Sequence, residues 1–357
     1  MKYAWKIISA IMLILLAAFL IYVFSAMFDE FLVTTGWSGL EYSVNEDGKT
    51  CTVTGIGAYK SNILHLDGTV DGYPVTAIGD SAFENSNLKF VYLPSSLKMI
   101  GNRAFAGCTS LISVYNIEDC RHLEHIGDYA FENCSNIDEI LLSDSVVSIG
   151  EFAFSKCYDL KQIDLPDNLI KIGAYAFQGC VSLEEVVLPN GLKTIGESAF
   201  ESCRALTKIN IPFSTESIET MAFSGCNQLT NISVDSDNHF YTSIDGHLYN
   251  SDATTLIQTS TIGIDNDFVV PEGVNRIESY ALRDLPEIKS ITIPKSVKQF
   301  GSWIVYNTPK LTSINYEGTV DEWFLIFKNP DWNEGSANFT IYCTDGTIDK
   351  DSTVTYK

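Results

Sequence analysis

The sequence repeats itself with a period near 23 residues, and that period limits the fold more than any other feature. The pair Ile-Gly begins at Ile78, Ile100, Ile126, Ile149, Ile172 and Ile195, with degenerate copies at Ile218, Ile277 and Phe300. The successive spacings are 22, 26, 23, 23, 23, 23, 59 and 23 residues. Each is followed by the Ala of an Ala-Phe pair, at Ala82, Ala104, Ala130, Ala153, Ala176, Ala199 and Ala222, and more weakly at Ala281 and Ile304. An apolar phrase recurs in step with them. Leu160-x-x-Ile163-x-Leu165-Pro166 returns as Leu88, Val91, Leu93 and Pro94, then Leu183, Val186, Leu188 and Pro189, then Leu206, Ile209, Ile211 and Pro212, and last Ile288, Ile291, Ile293 and Pro294. Self-similarity at such a period marks a stack of structural units. No unit can bury its apolar side alone, but a stack shares one continuous core.

L-x-x-I-x-L is the strand signature of a leucine-rich repeat. Alternation within it sends two side chains inward and exposes those between. Proline ends the strand because it cannot donate to the ladder. The later Ile, Ala and Phe fill the same coil, and the Gly after Ile is expected to permit a tight turn. The predicted fold is a leucine-rich repeat solenoid with one β-strand plus a short helix or turn per 23-residue rung.

The phrase "LxxIxLPxxLxxIGxxAFxxCxxL" resembles the BspA-type leucine-rich repeat of bacterial and some protist surface proteins. Leu160, Ile163, Leu165, Pro166, Leu169, Ile172, Gly173, Ala176, Phe177, Cys180 and Leu183 carry the match. The resemblance implies an N-terminal β cap over 41–74, repeats over 75–234, an inserted β-hairpin over 235–270, further repeats over 271–316 and a C-terminal cap over 317–357. "YTSIDGHLYNSDATTLIQ", residues 241–258, falls in that insertion and explains the spacing of 59. The spacing of 26, around "NIEDCRHLEH", carries three extra residues.

The N-terminus is a different material. Residues 7–28, "IISAIMLILLAAFLIYVFSAMF", contain no charge. Roughly 20 apolar residues span a bilayer as a helix, whereas a cleaved signal peptide carries an apolar run of about 7–15. Lys2 and Lys6 precede the run, and Asp29 and Glu30 follow it. The positive-inside rule then leaves residues 1–6 as a cytoplasmic tail, 7–28 as a transmembrane signal anchor, 29–40 as a linker, and the rest outside the cell. The alternative is a cut signal peptide and a secreted product. The net charge of −22 repels phosphate backbones and anionic lipid, so nucleic acid is not an expected partner and the membrane is reached only through 7–28.

Nine cysteines occur, and Cys108, Cys134, Cys157, Cys180, Cys203 and Cys226 each stand three residues after the repeat Phe or its equivalent. Identical side chains on stacked rungs point the same way, which favours a buried ladder of thiols over disulfides. Zinc sites bring ligands two to four residues apart in pairs, and these cysteines do not. Cys120, His122, Glu124 and His125 form one conceivable metal cluster at irregular spacing, and a bulged loop explains it better. "DSDNH" at 235–239 and "DWNEGS" at 331–336 read as turns rather than ion sites, and adjacent acids such as Glu184 and Glu185 point to opposite strand faces. No G-x-S-x-G, H-E-x-x-H or P-loop is present. No catalytic activity, metal or cofactor is therefore expected.

What remains is the exposed strand face. Its outward positions in the middle and later rungs are mostly polar, whereas Phe90, Tyr92, Tyr115 and Leu141 form an aromatic-apolar stripe in the first rungs. Exposed apolar patches mark partner sites, unless the N-terminal cap covers them. The resemblance, together with the expected anchor, implies surface-displayed recognition or adhesion toward a protein or glycan. The alternative is a non-catalytic structural or scaffolding module of the cell envelope.

Overall fold

The computed structural model describes residues 39–261, 266–349 and 352–357. The anchor expected at 7–28 lies outside them, as does the tail at 1–6 and nearly all of the linker. Among the described residues, no helix is long and apolar enough to cross a membrane.

The described chain winds as a β-solenoid in which each rung supplies two short strands rather than one. The L-x-x-I-x-L phrase gives the first wall, in which Phe90–Tyr92 pairs in parallel with Ile63–His65 on one side and Ser113–Tyr115 on the other. The residue pair ending at each Ile of Ile-Gly gives the second wall. Met99–Ile100, His125–Ile126, Ser148–Ile149, Lys171–Ile172, Thr194–Ile195 and Ser217–Ile218 run in parallel through a 10-stranded sheet. The three extra residues of the 26-residue step leave their mark on the first wall, which is split there into a 3-stranded and a 2-stranded sheet.

Of the short helix or turn expected in each rung, the turn is what forms, while the single strand per rung and the role of the glycine need correction. No rung of the described residues contains a helix; the one helix among them is the short Val320–Leu325 of the C-terminal cap. Each coil instead returns through a turn with two left-handed residues. The residue before the repeat Ala has φ of 56° at Ser81, 58° at Tyr129 and 57° at Tyr175, and the residue before the repeat Cys has 72° at Gly107 and 57° at Asn133. A turn this tight has no room for a helical segment. The glycine after Ile, in turn, is not the turn residue. A Cβ at Gly127 would lie 2.6 Å from the carbonyl carbon of Gly101, and one at Gly173 would lie 2.6 Å from that of Gly150. These glycines are required because backbones of successive rungs touch there, a close approach only a hydrogen side chain allows.

Inside the coil, identical residues stack. Phe105, Phe131, Phe154 and Phe177 are wholly buried, with ring centroids 5.2, 5.3 and 5.5 Å apart and planes within 6° of parallel. Such rings contribute about 0.5–1.5 kcal/mol per pair beyond burial. All nine cysteines are buried and unbridged. The thiol of Cys134 donates to the carbonyl of Phe105 at 3.1 Å, that of Cys180 to Phe154 at 3.2 Å and that of Cys226 to Phe200 at 3.1 Å. Cysteine suits the slot because it is small, apolar enough to bury, and still offers a weak donor to the rung before it. Burial pushes Cys157 and Cys226 up to about 12, so these two thiols stay protonated.

The insertion breaks both walls. Tyr241–Ile244 and His247–Asn250 form an antiparallel hairpin, and Thr255–Gln258 adds a third strand. That third strand then pairs in parallel with Arg276–Ile277 and restarts the second wall. The break divides the core as well. Leu248 belongs to a cluster running back to Leu40, whereas its neighbour Tyr249 belongs to a second cluster running on to Ile348. At the C-terminal end the Thr319 hydroxyl accepts from the Glu322 N–H at 3.2 Å and the Glu322 carboxylate accepts from the Thr319 N–H at 2.8 Å. This capping box fixes the cap helix, whose Trp323 joins Phe300 and Trp332 in an edge-to-face cluster that closes the core.

Candidate functional site

The fold places Phe90, Tyr92, Tyr115 and Leu141 on the first wall, with Leu141 across the break from the other three. Each flanks a buried strand residue: Val91 and Ile140 are no more than 1% exposed. The pleat therefore turns the flanking side chains outward. Tyr115 and Leu141 are 40% and 39% exposed. Phe90 and Tyr92 are half-buried. Parallel register aligns Tyr92 directly with Tyr115, and Phe90 with Ser113. The Tyr92 and Tyr115 rings stack at 4.7 Å with planes 21° apart, and Phe90 lies 6.3 Å from Tyr115.

The N-terminal cap does reach this patch, but from the end rather than from above. Ile63–His65 adds a strand beside Phe90–Tyr92, and the His65 ring stacks on Tyr92 at 4.1 Å and 6°. His65 was not among the expected site residues. Its signal was present in "ILHL", 63–66, which matches "FVYL", 90–93, without the preceding leucine. The row His65, Tyr92, Tyr115 thus has its ring faces turned to one another. Desolvation, then the neighbouring Tyr115, raises the Tyr92 hydroxyl above its ordinary value, so it remains a hydrogen-bond donor at neutral pH. Further along, the face is mixed: exposed Gln162 and Asp164 give way to Glu185, paired with Lys208 at 2.9 Å, and to Val187, which is 71% exposed.

A second aromatic row was missed. Tyr129, Phe152 and Tyr175 occupy the left-handed position before the repeat Ala, with centroids 4.8 and 4.5 Å apart and planes 7° apart. The Arg103 guanidinium sits over Tyr129 at 5.5 Å. The signal was the residue before each Ala-Phe pair, but nothing in the spacing says that it lies on the ridge of the turn.

The remaining sequence candidates are scattered. The Cys120 thiol is buried, 3.4 Å from the carbonyl of Pro94, while His122 and Glu124 are exposed and His125 Nδ1 lies 2.7 Å from the Ser148 hydroxyl. Among the described residues, no group of three His, Cys, Asp or Glu side chains converges as a metal site would require. In the 235–239 stretch, Asn238 is buried as a corner, its amide donating to the carbonyls of Pro212 and Thr215 at 2.7 and 3.0 Å. In the 331–336 stretch, Trp332 belongs to the second core and the Glu334 carboxylate accepts from the Trp303 indole at 3.2 Å.

Residues 76–170, 147–267 and 260–324 match the BspA type Leucine rich repeat region, in 6 copies. The chain belongs to the BspA-type leucine-rich repeat family. A crystal structure of a leucine rich cell surface protein from Faecalibacterium prausnitzii is similar at 33% identity, with a TM-score of 0.71, covering 77% of this chain and 74% of that one. A leucine-rich repeat protein from Bacteroides ovatus is similar at 25% identity and a TM-score of 0.62, covering 78% of this chain and 70% of that one. The pneumococcal vaccine antigen PcpA, 20% identical with a TM-score of 0.55 over 79% of this chain and 81% of its own, shares the fold. No curated protein matches the chain.

Proposed function

We propose that this BspA-type protein is displayed on the cell surface, held in the membrane by residues 7–28, and recognises a protein or glycan through the first rungs of its strand wall. One observation carries the reading. Phe90, Tyr92 and Tyr115 form a stacked aromatic patch in the first rungs, with Leu141 exposed on the strand beyond the break in the wall. Aromatic anchors of this kind dominate binding energy at protein interfaces. The cell-surface description of the Faecalibacterium relative supports the location. The reading assigns the chain no enzymatic role and no nucleic-acid partner.

Ring geometry favours a protein over a glycan. Sugars bind aromatic residues by lying on ring faces, but His65 and Tyr115 occupy both faces of Tyr92. The row therefore offers ring edges and hydroxyls, which suit the side chains and backbone groups of a protein partner. The test is a binding screen of the full chain against matrix proteins, glycans and intact cells, beside a variant carrying Phe90→Ala, Tyr92→Ala and Tyr115→Ala. Saturable protein binding lost in the variant supports the reading. Binding kept in the variant moves the site elsewhere, and a folded protein that binds nothing favours the scaffolding role.

A further inference from the structure

The two stacks meet at a seam tied by three consecutive residues. Thr259 donates its N–H forward to the Ala281 carbonyl at 3.0 Å, in the stack after the insertion. Thr261 donates its N–H back to the Leu229 carbonyl at 2.8 Å, in the stack before it. Ser260, between them, donates its N–H to Nδ1 of His247 at 3.1 Å. His247 opens the second strand of the inserted hairpin, whose turn is tied to the first stack by the Ile232 N–H, 3.0 Å from the Gly246 carbonyl. One imidazole therefore joins the hairpin to the segment that bonds to both stacks.

His247 is 6% exposed, and its ring meets Phe268 edge-to-face at 5.1 Å and 89°. A backbone N–H can only donate, so Nδ1 carries no proton while the seam is closed. The ring is then neutral, with its proton on Nε2. A proton on Nδ1 would set two donors against each other and bury a charge. The strands around the ring, Tyr241–Ile244, Thr255–Gln258 and Asn231–Val234, carry no charged side chain. Asp267, beside Phe268, is exposed and holds the Ser290 hydroxyl at 2.6 Å. Tyr241 and Tyr249 are raised by burial and stay protonated at neutral and acid pH. Burial outweighs the pull of Asp245, exposed in the hairpin turn, and holds the His247 ring down at about 4.

We propose that His247 is an acid-sensitive latch: neutral, it holds the seam shut, and protonation in acidic surroundings releases the inserted hairpin from Ser260 while both stacks stay folded. Proton linkage sets the sign. Closed, the ring titrates at about 4; released, it returns to the ordinary 6.5. Between those values the open seam binds more protons, so the closed form loses stability as pH falls. From pH 7 to pH 4.5 the open population rises about 50-fold. The aromatic patch lies in the first rungs, so the latch does not depend on what the patch binds.

The test is hydrogen exchange of the full chain, read by mass spectrometry from pH 7 to pH 4.5 and corrected for the intrinsic pH dependence of exchange. In the wild type, protection of the seam peptide carrying Ser260 and Thr261 is expected to fall about 50-fold. Gly173, whose N–H donates to the Ile149 carbonyl at 2.9 Å inside the first stack, should keep its protection. His247→Gln offers an amide oxygen to the Ser260 N–H and cannot titrate, so its seam protection should stay level. His239→Gln, exposed on the same insertion, should behave as the wild type. Should His247→Gln not fold, the imidazole nitrogens of the wild type, followed by NMR, still decide: His247 should keep its neutral Nε2–H form at pH 5. Three outcomes overturn the proposal: level seam protection in the wild type, an equal loss in His247→Gln, or a His247 ring that titrates near 6.5.

Discussion

The stacks on either side of the insertion solve one problem in two ways. Before it, each slot is filled by the same residue in rung after rung: Phe83 through Phe223 in the ring column, Cys108 through Cys226 in the thiol column. After it, the ring slot holds Leu282 and Val305, and the thiol slot holds Leu285 and Thr308. The volume lost there is recovered by Phe300, Trp323, Trp332 and Phe339, packed at angles rather than in a column. Both clusters are buried and both keep parallel walls. The rung therefore demands a filled slot and a satisfied backbone, not a particular side chain. What the identical residues add is register, because every ring and thiol finds its partner one period away.

The largest effect should come from breaking the ring column. Phe154 is wholly buried between Phe131 and Phe177, so Phe154→Ala is expected to cost about 3–5 kcal/mol in denaturant unfolding. Leu282→Ala, at the same slot after the insertion, should cost less, about 2–4 kcal/mol, because the angled aromatics nearby can close on the space. Equal losses would erase the distinction between the two stacks.

Next comes the backbone contact. Gly173→Ala places a Cβ 2.6 Å from Gly150 and should cost about 1–3 kcal/mol. Gly72, with nothing within 4 Å of its added Cβ, would suffer only the strain of its φ of +88°. Should Gly173→Ala prove the milder of the two, the touching-backbone explanation fails.

The thiol column gives a smaller change and a pH signature. Cys157→Ala should cost about 1–2 kcal/mol through the lost donor to the Phe131 carbonyl, 3.3 Å away. The native Cys157 and Cys226 thiols keep their protons to about 12, whereas in the unfolded chain they lose them near the ordinary 9.0. Between these values the native state binds more protons, so stability falls as pH rises from about 9 toward 12. Denaturation midpoints measured across that window should decline in the wild type and decline less in Cys157→Ala. A flat profile would mean that the thiols are not buried as donors.

These columns also show what was legible in the sequence. Leu160, Ile163 and Leu165 gave the first wall, and the period gave the stacking, because both depend on side chains that recur. The second wall was not legible, since two residues ending at an Ile carry too little alternation to declare a strand. The purpose of the Ile-Gly glycine was hidden for a different reason. A close approach between Gly127 and Gly101 is a property of two rungs together, and each rung alone looks like a turn. Phe90, Tyr92, Tyr115 and Leu141 could be grouped because they share one face. His65 could not, because its strand lacks the leucine that marks the phrase. The latch at His247 was out of reach, since it arises where the repeat is interrupted and the inserted strands return.

The smallest expected effect lies on the polar part of the strand face. Glu185 and Lys208 are both well exposed, so Lys208→Gln should change stability by less than about 1 kcal/mol. It should also leave ligand binding intact, which sharpens the contrast with the aromatic rungs on the same wall.

Recognition through those rungs is the central claim, and one measurement bears on it most directly. It is the binding of the full chain to intact cells and matrix proteins, wild type beside the Phe90→Ala/Tyr92→Ala/Tyr115→Ala variant, with unfolding midpoints taken in parallel. The account predicts saturable binding to a protein target by the wild type and its loss in a variant that remains folded. Undiminished binding by the folded variant would contradict it.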